Sequence, residues 1–200
     1  PVDDIAAAFI RALTAGDSVT LSVAKGVRLK QPLLLQVEVE GDVCGIHFNQ
    51  DIGPRSEVEL ITVFKGNAEW LGVLREGVIG EGAILNDIVV NRLGGGMMLR
   101  VDAIRIERDA QVKLGTVGAG GKRTKADLRY HMVGIGGSLE VKGSIMSEGE
   151  QHNDSHIEIM HDAPMTYSRL NWHSSCGGRS RTIGTGMLRI ADGAKGSDAN

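Results

Sequence analysis

The sequence predicts an all-β fold, a parallel β-helix (solenoid) with a period of about 27 residues, preceded by a short N-terminal helix. The first observation is a repeat. Aliphatic residues recur 27 positions apart, at Ile52, Ile79, Ile106, Val133 and Met160. Four positions after each of them comes a small or turn-compatible residue, namely Ser56, Ala83, Ala110, Gly137 and Pro164. A unit this short cannot bury its own apolar face, so neighbouring units must stack.

The second observation is an alternation of polar and apolar residues after the small residue of each repeat. Residues 56–60, with Val58 and Leu60 apolar, have a period of two, and so do residues 110–114. A second extended segment precedes each later repeat, as at residues 98–101 and 128–132. Two or more short strands per unit are typical of one coil of a parallel β-helix. The signature of leucine-rich repeats, L-x-x-L-x-L-x-x-N, is absent.

The third observation is the composition of the 200-residue chain. Its 28 glycines are dispersed, as many tight turns require, and only 4% of the residues are aromatic, which predicts an aliphatic core. The net charge of −3 provides no basic stripe for a nucleic acid, and no apolar run approaches the length of a membrane span. Cys44 and Cys176 lie far apart and do not argue for a disulfide, so the expected location is the reducing cytoplasm.

Residues 1–18 are predicted to form a capping helix, and residues 19–200 the β-helix core. Asp3 or Asp4 can cap the helix, and Gly16 can end it. We expect this helix to cover the open end of the solenoid, because an uncovered coil leaves an edge that invites aggregation. Residues 19–39 alternate as extended chain, and Pro32 is expected at a strand start or an edge because it cannot donate to a ladder. The apolar face of the helix is formed by Ile5, Phe9, Ile10 and Leu13.

Three histidines stand close together in a polar stretch, at His152, His156 and His161. Histidine and carboxylate side chains at short spacing suit iron or zinc. On a strand, however, His156 and Glu158 share a face, whereas His161 lies on the other face or past a turn. The favoured interpretation is therefore surface and turn histidines, with His161 retained as a candidate metal ligand.

The two cysteines lack the surroundings of an activated nucleophile. Cys44 falls in the apolar phase of its alternation and His47 in the opposite phase, which indicates a buried structural cysteine. Cys176 is predicted to lie in an exposed turn with only His173 nearby as a base, and it is the second candidate metal ligand. The glycine-rich segments 94–96 and 118–121 open no helix, which indicates solenoid turns and not phosphate sites. No nucleophile, base and oxyanion hole assemble, so no catalytic residue is predicted.

Three stretches carry a family resemblance. Residues 26–33 read GVRLKQPL, and residues 108–110 and 127–137 read as core coils. The most specific stretch combines a Gln-x-x-Asp element at 151–154 with a His-x-x-Pro-x-Thr-x-Ser element at 161–168, then Gly178, Arg179 and Gly186. In this order and at about this spacing, the elements resemble the SufB/SufD family of the Suf iron–sulfur cluster assembly system. The first stretch favours the SufD side.

The resemblance implies a right-handed parallel β-helix that serves as a non-catalytic scaffold. It implies two partners, a SufC-type ABC ATPase and a SufB-like or identical β-helix subunit. The family pattern continues beyond Asn200 with the cysteine, glutamate and histidine associated with cluster building, so no cluster ligand is carried over to this chain. We therefore expect no cofactor in this chain, and an iron–sulfur cluster only transiently in the complex. His161 matches a motif position but is interpreted as part of the coil.

Two other interpretations remain open, a β-helix enzyme acting on carbohydrate or acyl groups and a purely structural or adhesive solenoid. An enzyme of this kind would align carboxylates along one face and offer aromatic platforms, but here the acidic residues are dispersed and the aromatic residues are few. The absence of a secretion signal at the start of the sequence counts against an adhesive solenoid.

Overall fold

The computed structural model describes residues 4–200, which form one short helix and twelve β-strands. The helix α1 spans Ile5–Leu13, and the part of the predicted helix in residues 1–3 lies outside the described residues. The strands span Val19–Val23 (β1), Leu33–Ile52 (β2), Glu57–Ile79 (β3), Ile84–Leu93 (β4), Met97–Ile106 (β5), Gln111–Gly118 (β6), Arg123–Met132 (β7), Ser138–Ser147 (β8), His152–His161 (β9), Tyr167–Cys176 (β10), Arg181–Ile190 (β11) and Asp198–Ala199 (β12).

The strands pair in parallel and wind into a solenoid of about seven coils, which confirms the predicted fold. Face A consists of the first halves of β2 and β3 followed by β4, β6, β8, β10 and β12. Face B consists of β1, the second halves of β2 and β3, and then β5, β7, β9 and β11. The two long strands cross from one face to the other near Gly41 and Gly66, whose φ angles of 106° and 104° suit glycine.

One inward column on each face is aliphatic through the first coils, as the composition predicts. In face B, Ile52, Ile79 and Ile106 pair in consecutive coils at the predicted interval of 27 residues, and all three are buried. The matching column of face A is equally buried and consists of Val58, Leu85, Val112 and Leu139.

Pro32 stands immediately before β2, in the expected place at a strand start.

The predicted period slips by one residue in two later coils. Ile106 pairs with Met132 and not with Val133, and Met132 in turn pairs with His161 and not with Met160. The corners between strands lie outside the ladder and tolerate insertions and deletions, whereas the inward phase of each strand is fixed by pairing. The predicted register is therefore wrong in these two coils although the repeat itself is present.

Helix α1 lies on the outer surface of face B and does not cover the open end of the solenoid. Ile10 is fully buried against Leu74 and Val101, which face outward from β3 and β5. The helix contacts β2, β3 and β5, so it bridges three consecutive coils. The predicted end cap is wrong because Ile10 is buried on these outward aliphatic side chains. Two other members of the predicted apolar face, Ile5 and Phe9, are exposed.

Two glycines make room for the helix on this surface. A Cβ added to Gly45 would lie 2.9 Å from Cγ of Leu13, and one added to Gly72 would lie 3.1 Å from Cγ1 of Ile10. Both glycines face outward, on β2 and β3, in paired positions of neighbouring coils. Any larger residue at these positions would hold the helix away from the sheet.

The N-terminal end of α1 is fixed over a later coil. The Asp4 carboxylate accepts a hydrogen bond from the backbone N–H of Ala7 at 3.0 Å, which caps the helix. Asp4 also forms an ion pair with Arg129 of β7. The C-terminal residue Leu13 contacts Gly45 of β2 at the other end. The helix axis therefore runs along the stack of coils, across the strands.

Replacing Gly72 by valine is expected to detach α1 from face B. The new side chain would collide with the Trp70 ring, only 2.8 Å from an ideal Cβ, and with Ile10. Uncovering Ile10 removes the burial of one large aliphatic side chain, a loss of about 2 kcal/mol. Urea denaturation and hydrogen exchange across residues 5–13 measure both effects. The matched control is Gly95→Val, where an added Cβ meets nothing within 4 Å; unchanged helix protection in Gly72→Val would contradict the prediction.

Candidate functional site

A buried histidine interrupts the inward aliphatic column of face B. His161 is fully buried at the end of β9. Its Nδ1 lies 2.7 Å from Oγ1 of Thr166, and its Nε2 lies 2.8 Å from Oγ of Ser168. Both ring nitrogens are therefore hydrogen-bonded to hydroxyl groups. In the preceding coils the same position is occupied by Ile52, Ile79, Ile106 and Met132.

The hydroxyl partners of this histidine also replace core residues. Ser168 pairs with Leu139 of the preceding coil and takes the place of a buried leucine. Thr166 takes the small-residue position predicted for Pro164, and its Oγ1 donates to the carbonyl of Ala163 at 3.1 Å. It also lies 2.8 Å from Oγ of Ser197. We call this group the His161 cluster: His161, Thr166, Ser168 and Ser197.

The His161 cluster favours a neutral imidazole. Burial lowers the pKa of His161 below its ordinary value of 6.5, against the opposing charges of Asp198 and Asp162. Because Thr166 Oγ1 donates to a carbonyl, it accepts from Nδ1–H, which leaves Nε2 to accept from Ser168. The imidazole thus links β9 to β10, and a metal ion at His161 would have to displace one of the two hydroxyl groups.

Cys176, the second candidate metal ligand, lies apart from His161. It is exposed at the end of β10 in face A, whereas His161 ends β9 in face B. Its Sγ lies 3.3 Å from Oγ1 of Thr182, and that oxygen lies 2.9 Å from Oγ of Ser147. The structure does not bring the two candidates into a common site.

His152 and His156 do not join His161. The two ring nitrogens of His156 each lie 3.7 Å from a carboxylate, one from Asp127 and the other from Glu158, on the outer surface of face B. This position agrees with the interpretation of His156 as a surface histidine. Across residues 4–200, no three His, Cys, Asp or Glu side chains are grouped closely enough to hold a metal ion.

Cys44 and His47 point to opposite sides of β2, as their alternation predicts. Cys44 is half-buried against the core, and its Sγ donates to the carbonyl of Glu40 at 3.4 Å. His47 lies on the outer side with Nε2 at 2.9 Å from Oε2 of Glu76. The two side chains cannot act as a thiol–imidazole pair in this arrangement.

An ion-pair cluster inside the solenoid was missed by reasoning from the sequence. Arg75 of β3 reaches Asp102 of β5 at 3.1 Å and also donates to Asp87 of β4. Arg100 donates to Asp102 twice, at 2.9 Å from Nε and 2.6 Å from Nη2. All four charged side chains are buried. Gln50 and Tyr130 add donors to the two aspartates. We call this group the interior charge cluster: Gln50, Arg75, Asp87, Arg100, Asp102 and Tyr130.

The interior charge cluster is balanced, with two arginines against two aspartates. Burial alone would raise the pKa of Asp102, but the positive charges of Arg100 and Arg75 outweigh it and lower that pKa. Burial raises the pKa of Tyr130, so its hydroxyl stays protonated and donates to Asp102 at 3.4 Å. The sequence did contain a signal, since Arg75 and Asp102 have opposite charges, share the inward phase and stand one 27-residue period apart.

The fold and its interior define the class of protein. It is a parallel β-solenoid in which buried polar side chains form hydrogen bonds and ion pairs between coils. No helix within residues 4–200 is long and apolar enough to cross a membrane. The family model described as SUF system FeS cluster assembly, SufBD core domain, matches residues 47–200. The chain therefore belongs to the SufB/SufD family of iron–sulfur cluster assembly, as the resemblance implied. A comparison with curated proteins found no match.

Proposed function

We propose that this chain is a non-catalytic scaffold subunit in iron–sulfur cluster assembly, acting with a SufC-type ATPase. The observation that carries the proposal is the family match over residues 47–200, which extends from the second half of β2 to the end of the described chain. The elements at 151–154 and 161–168 support it, and residues 26–33 support the SufD side of the family.

The second proposed partner is a SufB-like or identical β-helix subunit. Within residues 4–200, β11 pairs with β9 alone, so one of its edges is unpaired. Its side chains include Leu188 and Ile190, which are 39% and 48% exposed. An edge strand with apolar neighbours is a template for strand addition, in which backbone hydrogen bonds supply affinity and side chains supply specificity.

We propose that the iron–sulfur cluster is cargo of the complex, that this chain holds no resident cofactor, and that the chain is cytoplasmic. His161 is held by two hydroxyl groups and Cys176 stands alone at a strand end. We therefore propose that the lasting cluster ligands come from a partner or from a part of the family pattern outside residues 4–200.

Co-expression with a SufC-type ATPase and a SufB-like subunit tests this function. We expect a complex of the three chains that gains iron–sulfur absorbance after anaerobic reconstitution with iron and sulfide, whereas the isolated chain gains none. Cys176→Ser and His161→Met should leave that absorbance unchanged. A chain that binds neither partner would overturn the scaffold role. A cluster on the isolated chain that is lost in either variant would instead make that residue a ligand.

A further inference from the structure

Face A presents an exposed aliphatic patch that nothing covers within residues 4–200. The patch occupies two neighbouring outward columns, in which equivalent residues pair from coil to coil. Three members are conspicuously exposed, Leu34 at 64%, Ile88 at 42% and Val117 at 40%. Contiguous apolar surface of this kind marks interaction sites more often than isolated apolar residues do. We call this group the face A patch: Leu34, Ile61, Val63, Ile88, Val90 and Val117.

The opposite face of the same molecule shows what such columns can bind. On face B, the outward column of Leu74 and Val101 lies beside a column containing Gly45 and Gly72. Helix α1 fills that surface with its axis running along the stack of coils and with Ile10 buried. Face A has a related arrangement without a helix: Gly115, which has no side chain, continues the column of Leu34, Ile61 and Ile88.

The geometry of a coil stack suits a helix in this orientation. Adjacent strands lie about 4.8 Å apart, and one turn of an α-helix rises about 5.4 Å. A helix parallel to the stack therefore offers about one apolar residue to each coil, with the i, i+3, i+4, i+7 spacing of an amphipathic face. Gly115 leaves a groove of about 640 Å³ next to Ile88 and Val117, into which one larger side chain can fit.

The outward charges beside this groove are mostly positive, because Asp87, which also lines it, is buried and paired with Arg75. Lys113 and Lys142 line it, and Arg169 stands in the column of Lys113 one coil beyond Glu140. Glu140 is the carboxylate among these three cations. The hydrogen bond from Lys142, together with the charges of Lys113 and Arg169, lowers the pKa of Glu140. Negative charge in the part of a ligand that lies over Gly115 therefore strengthens binding.

We propose that the face A patch is the docking site for an amphipathic helix of a partner protein, with acidic residues at the end that lies over Gly115. The helix runs along the solenoid axis, as α1 does on face B, and spans at least three coils. Its apolar residues cover Leu34, Ile61 and Ile88 in turn. This surface is separate from the β11 edge, so the inference does not depend on the proposed pairing of solenoids.

Two fluorescent peptides of about 15 residues, long enough for four helical turns, test the inference. Both carry leucines at the i, i+3, i+4, i+7 positions and a staple that keeps them helical, which lowers the ordering cost of binding. One has glutamates at the remaining positions of its last two turns, and the other has lysines there. Anisotropy titrations are expected to show binding of the glutamate peptide that is roughly tenfold tighter than that of the lysine peptide.

Three variants locate the binding surface. Ile88→Arg and Gly115→Gln should each weaken binding of the glutamate peptide at least about tenfold, whereas Val78→Arg, at an exposed position outside the patch, should leave it unchanged. Thermal unfolding confirms that each variant is folded. Absence of binding, equal binding of the two peptides or equal losses in all three variants would overturn the inference. Sedimentation that shows a dimer abolished by Ile88→Arg would also overturn it, by assigning the patch to a second copy of this chain.

Discussion

Arg75→Ala is expected to destabilise the solenoid by about 3–5 kcal/mol, because it leaves the buried carboxylate of Asp87 without its counter-charge. Asp87 is 2% exposed, and without Arg75 its remaining donor is Gln50 at 3.2 Å. Asp102 keeps both hydrogen bonds from Arg100. Most of the loss in the free energy of unfolding therefore comes from the unpaired charge of Asp87.

Urea unfolding at neutral pH measures this loss, and two further variants identify its cause. Arg105→Ala removes an exposed ion pair with Glu107, 3.7 Å long, and is expected to cost less than about 1 kcal/mol. The double variant Arg75→Met/Asp87→Leu removes the buried charge together with its partner. Asp87 pairs with Leu60 and Leu114 in the adjacent coils, so a leucine there continues an aliphatic column.

The double variant is therefore expected to recover most of the stability that Arg75→Ala loses, since exchanging a buried ion pair for apolar side chains is often close to neutral. A double variant as unstable as the single one would show that Arg75 acts through packing and not through its charge. An Arg75→Ala loss below about 1 kcal/mol would mean that water reaches Asp87 and replaces the arginine.

The fold could be predicted from the sequence because stacking makes the repeat visible. Each coil must bury the same columns as its neighbours, so aliphatic residues such as Ile52, Ile79 and Ile106 recur at a fixed interval. The register of later coils could not be predicted from that interval, because corner length varies freely while strand phase does not. Met132 and His161 are the correct partners, each one residue away from the predicted position.

The place of the helix and the interior charges depend on contacts between columns that no local pattern reveals. Ile10 could equally have covered the solenoid end, and only the outward phase of Leu74 and Val101 decides against it. Arg75 lies in the inward phase of β3, and only its pairing with Asp102 in the next coil shows which charge neutralises it. The His161 cluster was visible as a motif, but its hydrogen bonds require β9 and β10 to meet at one corner.

His161→Met is expected to destabilise the solenoid near pH 8 by about 1–3 kcal/mol, because Ser168 then loses the hydrogen-bond partner of its buried hydroxyl. The difference between variant and wild type should shrink on acidification. The pKa of His161 is lowered in the folded state, so the unfolded chain takes up the proton first as the pH falls through 6.5. Stability that depends on the neutral imidazole is complete above that pH and is lost below it.

Urea midpoints for the wild type and His161→Met, measured between about pH 8 and pH 5, test this dependence. His173→Gln removes an exposed histidine and should follow the wild-type curve.

The triple variant His161→Met/Thr166→Ala/Ser168→Leu restores the residues of the earlier coils, where Met132, Ala110 and Leu139 occupy the equivalent positions. We expect it to be as stable as the wild type near pH 8 and more stable near pH 5. If it also assembles with the proposed partners, the His161 cluster serves folding alone; if it folds but fails to assemble, the buried imidazole has a role in the complex that apolar packing cannot replace.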